Sequence, residues 1–143
     1  MKIIQNTITL KSRGRGYHLV TDEIAGQMPE LRKCRRGIAH IFMRHTSAGL
    51  TLNENADPSV RRDFESFFAD LVPEDTSRYE HTAEGADDIT AHIKSSMIGA
   101  SVTAPVTDGK FSLGTWQGLY LCEFRSSRHT RNVTVTVIGE FDE

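Results

Sequence analysis

The segment Arg131–Phe141, RNVTVTVIGEF, alternates valine with polar β-branched residues almost without interruption. A period of two sends successive side chains to opposite faces, so the pattern demands a strand in a sheet with one face buried. Residues 2–10 repeat it less strictly. Ile4, Asn6, Ile8 and Leu10 share one face, and Ile3, Gln5, Thr7 and Thr9 the other. Further strands are expected at Tyr17–Val20, at Ile38–His45 after Gly37, at Leu50–Asn53, at Ser101–Val106 and at Lys110–Phe124. Asp108-Gly109 is a hairpin signal between the last two. Gly114 and Gly118 mark bulges or close backbone approaches in the long one.

Three helices interrupt the strands. Thr21 is a suitable N-cap, with Asp22 and Glu23 in the first turn, for a helix running to about Met28 before Pro29. Asp57-Pro58 combines a capping acid with proline at the first helical position and predicts a helix to Leu71. Val60, Phe64, Phe67, Phe68 and Leu71 then form one apolar stripe, expected in the core. A third helix over Asp87–Ile98 stops at Gly99. In it Ile89, Ile93 and Met97 are expected to pack inward, with Asp88, His92 and Ser95 along the margin. Asp87 and Lys94 fall on the far side, which leaves Lys94 to serve a neighbouring subunit. The order ββ-α-ββ-α-α-βββ predicts a single α+β domain, a mainly antiparallel β-sheet covered by helices.

The 143 residues suit one domain with a real core. A net charge of −2 gives no electrostatic case for nucleic acid or an anionic membrane. No apolar run approaches the ~20 residues that span a bilayer, and residues 1–16 lack a signal peptide's apolar core, so a cytoplasmic protein is expected. Cys34 and Cys122 have neither CxxC spacing nor secretory context and read as free thiols.

Polar chemistry is concentrated in RHTSAGLTLNENADPSVRRD, residues 44–63, and HTAEGADDITAHIKSS, residues 81–96. His45, His81 and His92 with Asp88 offer donors for a first-row divalent metal such as zinc, though their spacing is no known metal signature. The alternative is histidines hydrogen-bonded at a polar margin. Asp57 caps a helix and Asn55 can serve a turn. Glu54 has no evident local task, which leaves a general base, a metal ligand or a solvated acid. Thr46 and Ser47 next to His45 suit phosphate contact better than a serine nucleophile, because neighbours on a strand point to opposite faces. Arg125, Arg128 and Arg131 make a basic turn able to contact anions. Trp116 is either a stacking surface or a core ring.

Three ordered blocks carry a resemblance: HTSAGLTLNENADPSVRRD, EGADDITAHIKSSMIGASVTAPV and GKFSLGTWQGLYLCEFR. They resemble the YjbQ family, also called secondary thiamine-phosphate synthases, over nearly the whole chain. The resemblance implies a homotrimer with polar pockets near subunit contacts. It also implies condensation of hydroxymethylpyrimidine diphosphate with thiazole phosphate, giving thiamine phosphate and pyrophosphate, as a secondary activity. The matching polar positions include His45, Thr46, Ser47, Asn53, Glu54, Asn55, His81, Asp88, His92, Lys94, Ser95, Trp116, Gln117 and Glu123. Gly49 and Thr90 depart from the family's pattern without disturbing this set.

For that reaction, His45, Glu54, His92 and Lys94 are the expected catalytic groups. A divalent ion, zinc or magnesium, is expected on His45, His81, Asp88 and His92. Thr46, Ser47, Asn53, Asn55, Ser95, Trp116, Gln117, Arg125 and Arg128 are expected to bind the phosphorylated metabolite. Lys94 with Arg125 or Arg128 would take the pyrophosphate, and Glu54 would orient the aminopyrimidine. Two other readings stay open: a metal-assisted hydrolase or related phosphate enzyme, and a non-catalytic binder of a phosphorylated metabolite.

Overall fold

Two antiparallel sheets stack face to face in the computed structural model, which describes residues 1–143, and two helices cover the outer face of the smaller sheet. The strands are β1 (Lys2–Arg13), β2 (Gly16–Leu19), β3 (Cys34–Met43), β4 (Ala48–Glu54), β5 (Ser101–Thr107), β6 (Lys110–Phe111), β7 (Gln117–Glu123) and β8 (His129–Phe141). The helices are α1 (Thr21–Gly26), α2 (Pro58–Leu71) and α3 (Ala86–Ile98), with short 3-10 turns at Pro29–Lys33 and Thr76–Arg78. The larger sheet runs β1-β8-β3-β5-β6 and the smaller β2-β7-β4. The α+β class holds, with one sheet resolved into two.

The periodicities explain the layers. Val133, Val135 and Val137 of β8, with Ile8 and Leu10 of β1 and Ala39, Ile41 and Met43 of β3, turn inward from the large sheet. They meet Leu50 of β4 and Leu119 and Leu121 of β7. Ile24, Met28 and Leu31, from α1 and the turn after it, join the same core. The other face of the small sheet supplies Tyr17, Tyr120, Cys122 and then Phe124 to a second core, with Ala91 of α3 and, partly buried, Phe64 and Phe68 of α2. Both cysteines are buried and free.

Several boundaries move for identifiable reasons. The long strand expected over Lys110–Phe124 is two strands in different sheets, β6 beside β5 and β7 between β2 and β4. The chain must cross the ~10 Å between stacked sheets, and residues 112–116 do so. At the hairpin, Asp108 and Gly109 both adopt positive φ, 49° and 78°, and a Cβ on Gly109 would meet the Arg32 carbonyl oxygen at 2.6 Å. Thr21 does not cap α1. Its hydroxyl instead accepts the Leu119 amide at 2.8 Å, tying α1 to the small sheet. Asp57 does cap α2, accepting the Ser59 amide at 2.9 Å.

Each helix buries less of its apolar stripe than the pattern suggests. Phe67 and Leu71 of α2 are 59% and 51% exposed. On α3 the buried residues are Asp88, Thr90, Ala91 and Lys94, whereas Met97 is 52% exposed. A close approach selects that face: a Cβ on Gly49 of β4 would lie 3.0 Å from both the Gly99 carbonyl and the Ile98 side chain. Leu121→Ala should therefore cost about 2–5 kcal/mol, and Leu71→Ala should stay within about 0.5 kcal/mol. Urea unfolding of both variants checks this contrast.

Candidate functional site

Asp88 sits in the first turn of α3, 1% exposed, and an isolated carboxylate there would be costly. Three cations or potential cations surround it. Its Oδ2 lies 2.7 Å from His81 Nε2 and 3.1 Å from His92 Nε2, and Arg125 donates to its Oδ1 at 2.7 Å. Burial pushes the Asp88 carboxyl up. The hydrogen bond from His81 and the charges of His92 and Arg125 outweigh burial and hold it below the usual carboxylate range.

Each partner is fixed in turn. His92 Nδ1 donates to the Thr46 carbonyl at 2.8 Å, which turns its Nε2 toward Asp88. Ser95 donates to the same carbonyl at 2.7 Å. Arg125 also donates to Asp87 Oδ2 at 3.0 Å and to the Glu84 carbonyl at 3.1 Å. Asp87 further accepts the Ser126 amide at 2.8 Å. Donor atoms of His81, Asp88 and His92 all lie within 4.8 Å of one another, close enough to hold one cation. Two imidazoles and one carboxylate suit zinc or a similar first-row ion, whereas magnesium prefers an all-oxygen set.

His45 stands outside this trio. Its Nε2 accepts the Asn132 amide at 2.8 Å, so a ligand role would break that bond. Burial, then the charge of Arg131, lowers its pKa below the usual histidine value. His45 and His92 nevertheless line one cleft of about 440 Å³, with Thr46, Ala48, Ser95, Ser96, Gly99 and Ala100.

A buried ion pair lies near His45. Arg131 grips Glu123 with two bonds, Nε to Oε1 at 2.7 Å and a terminal nitrogen to Oε2 at 2.6 Å. Arg131 also donates to Ser47 Oγ at 2.8 Å. Glu123 is 0% and Arg131 3% exposed. By sequence Arg131 belongs both to the basic turn and to the alternating strand that follows. The strand is the stronger signal, because Arg131 shares the inward parity of Val133, Val135 and Val137 on β8.

The other expected site residues lie elsewhere. Asn53, Glu54, Asn55 and Gln117 gather where β4 ends and β7 begins, about 20 Å along the sheet from Ser47 at the usual strand rise. They bond to one another and to backbone. Glu54 accepts the amides of Ala56 and Asp57, a local task not foreseen. Asn53 accepts the Glu54 amide, Asn55 donates to the Gln117 carbonyl, and Gln117 accepts the Gly114 amide. Asn55 and Gln117 line a separate recess of about 590 Å³ with Arg13 and Glu23. Trp116 beside them is 66% exposed and not a core ring. Arg128 donates to the Ser12 carbonyl, away from the cleft. Lys94 is 2% exposed within its own chain rather than turned outward. Burial, with Arg15 nearby, lowers its pKa.

The family profile described as UPF0047 protein YjbQ-like matches residues 6–140. The chain belongs to the YjbQ family. It is 50% identical to UPF0047 protein YjbQ of Escherichia coli O157:H7 over 136 residues, 95% of this chain and 98% of that one. It is 42% identical to a UPF0047 protein of Synechocystis, covering 95% and 92%. Among solved structures, a YjbQ/UPF0047 family protein of Clostridium acetobutylicum aligns with a TM-score of 0.76 at 33% identity, covering 94% and 99%. A family protein of unknown function from Sulfolobus solfataricus aligns with a TM-score of 0.81 at 25% identity, covering 97% and 99%.

Within this YjbQ chain the Glu123–Arg131 pair is expected to hold Ser47 and the end of β4 in place. Glu123→Gln should cost about 3–5 kcal/mol, because Arg131 is left buried without a counter-charge. The double change to Glu123→Leu with Arg131→Met should recover most of that loss, as chemical unfolding of the three proteins would show.

Proposed function

We propose that the protein is an enzyme acting on phosphorylated small molecules, with a divalent metal of the zinc type held by His81, Asp88 and His92. The convergence of these three donors on a buried carboxylate, itself oriented by Arg125, is the observation that carries this reading. Arg125 and the Thr46 carbonyl are outer partners of the kind that fix metal ligands in place. A bound ion would polarise a phosphate oxygen and stabilise the negative charge of a departing pyrophosphate. His92 lines the adjoining cleft, where His45, Ser95 and Ser96 bound a space for the rest of the substrate.

The thiamine-phosphate condensation implied by the family resemblance suits such a site. The bond from the pyrimidine methylene to oxygen breaks, pyrophosphate leaves with the electron pair, and the thiazole nitrogen bonds to that methylene carbon. Product analysis of the purified protein separates this from hydrolysis, where water takes the place of the thiazole. Chelator treatment should abolish thiamine-phosphate formation, and zinc should restore it. Asp88→Asn and His92→Ala should each lower turnover about a hundredfold or more while retaining the wild-type circular dichroism spectrum. Undiminished turnover by metal-stripped protein or by Asp88→Asn would sink the assignment.

A homotrimer is the second part of the proposal. The outer face of the large sheet is uncovered, and Ile3, Ile38, Phe42 and Ile138 there are 65%, 56%, 43% and 47% exposed. Exposed apolar sheet of this kind marks an association surface. The wild-type protein should run as a trimer in light scattering, and Ile38→Asp should shift it toward monomer. A monomeric wild type at micromolar concentration would count against it.

A further inference from the structure

Two buried side chains, Lys94 and Tyr17, pack on the Phe124 ring, and the partly exposed Arg15 lies close enough to Lys94 for its charge to act there. Lys94 Nζ makes no hydrogen bond or ion pair and lies 5.8 Å from the centroid of the Phe124 ring. Tyr17 is 5% exposed, packs on the same ring at 6.1 Å between centroids, and has a buried hydroxyl without a partner. Arg15 lies two residues before Tyr17, and its Nε is buried without a partner. Its terminal nitrogen donates to Ser126 Oγ at 2.7 Å and pairs with the carboxylate of Glu74.

Buried donors are nearly always hydrogen-bonded, and an unsatisfied one costs free energy. We propose that Arg15, Tyr17 and Lys94 form a phosphate-binding site whose place Glu74 occupies in this structure. Two of the three groups are cations, so the missing guest is an anion. A phosphate offers several acceptor oxygens, matching both the fork of an arginine and the point charge of a lysine.

The neighbouring acids are accounted for. Asp87 lies near Lys94, and Arg125 and the Ser126 amide already bind it. Glu65 of α2 acts on both Lys94 and Tyr17 from beyond contact distance. Glu74 alone bonds directly to the site, through Arg15. Its side chain is 33% exposed, so it can swing outward. Residues 72–85, which join α2 to α3, carry both Glu74 and His81. Ser126 and Asp87 link Arg15 to Arg125 and so to Asp88. A substrate phosphate on Arg15 and Lys94 would therefore be connected to the proposed metal ligand Asp88 through Ser126, Asp87 and Arg125.

The assignment extends the proposed function to the phosphate half of the site. Calorimetric titration of metal-free protein with inorganic phosphate tests it independently of any metal. The wild type should bind weakly, and Glu74→Gln should bind about tenfold more tightly because the competing carboxylate is gone. Lys94→Met should lose binding yet raise the melting temperature, since a chain of similar length replaces an unpaired buried cation. A merely structural lysine would not show that opposite pair of effects. Arg15→Gln gives a second reading and should weaken binding about tenfold. Failure of Glu74→Gln to bind phosphate at millimolar concentration, or wild-type affinity in both Lys94→Met and Arg15→Gln, would overturn the site.

Discussion

The buried carboxylate of Asp88 is the constraint on which the polar end of this molecule depends. A charge removed from water must be met by partners or be neutralised. The partners come from three separate segments: His81 before α3, His92 one turn along it, and Arg125 just after β7. Satisfying one side chain therefore ties helix, connecting segment and sheet end together. His92 and Ser95 extend the tie to the Thr46 carbonyl at the start of β4.

A second buried ionic contact runs parallel to the first. Glu123 and Arg131 stand where the inward faces of β7 and β8 leave the apolar sandwich, and they close its end with a bidentate bond. The Glu123 carboxylate also accepts the Arg125 amide at 3.2 Å. The two ionic contacts thus meet at Arg125. Such pairs contribute little net stability beyond an apolar replacement. Their consequence is positional: they set the ends of β4, β7 and β8, and with them the cleft between His45 and His92.

Much of the fold was legible because periodicity is a local property. The alternation in β8 and β1 and the Asp57-Pro58 start of α2 each follow from residues within a few positions. The buried face of α3 was misread for the opposite reason. Its apolar residues pointed to Ile89, Ile93 and Met97, but the close approach of Gly49 and the demands of Asp88 and Lys94 turned a partly polar face inward. The task of Glu54 was not legible because its donors, the amides of Ala56 and Asp57, become available only once the chain bends into α2.

The candidate site was half legible. His81, Asp88 and His92 lie within one short polar block, and the i, i+4 spacing of Asp88 and His92 already placed them on one helical face. The residues Asn53–Asn55 and Gln117 looked equally chemical, yet strand length carried them to the opposite end of the small sheet. The sequence by itself determined the strands, the helices and their chemistry, because these depend on neighbouring residues. Only the tertiary structure decided which polar groups share a site, because that depends on register and layer packing between segments far apart in the chain.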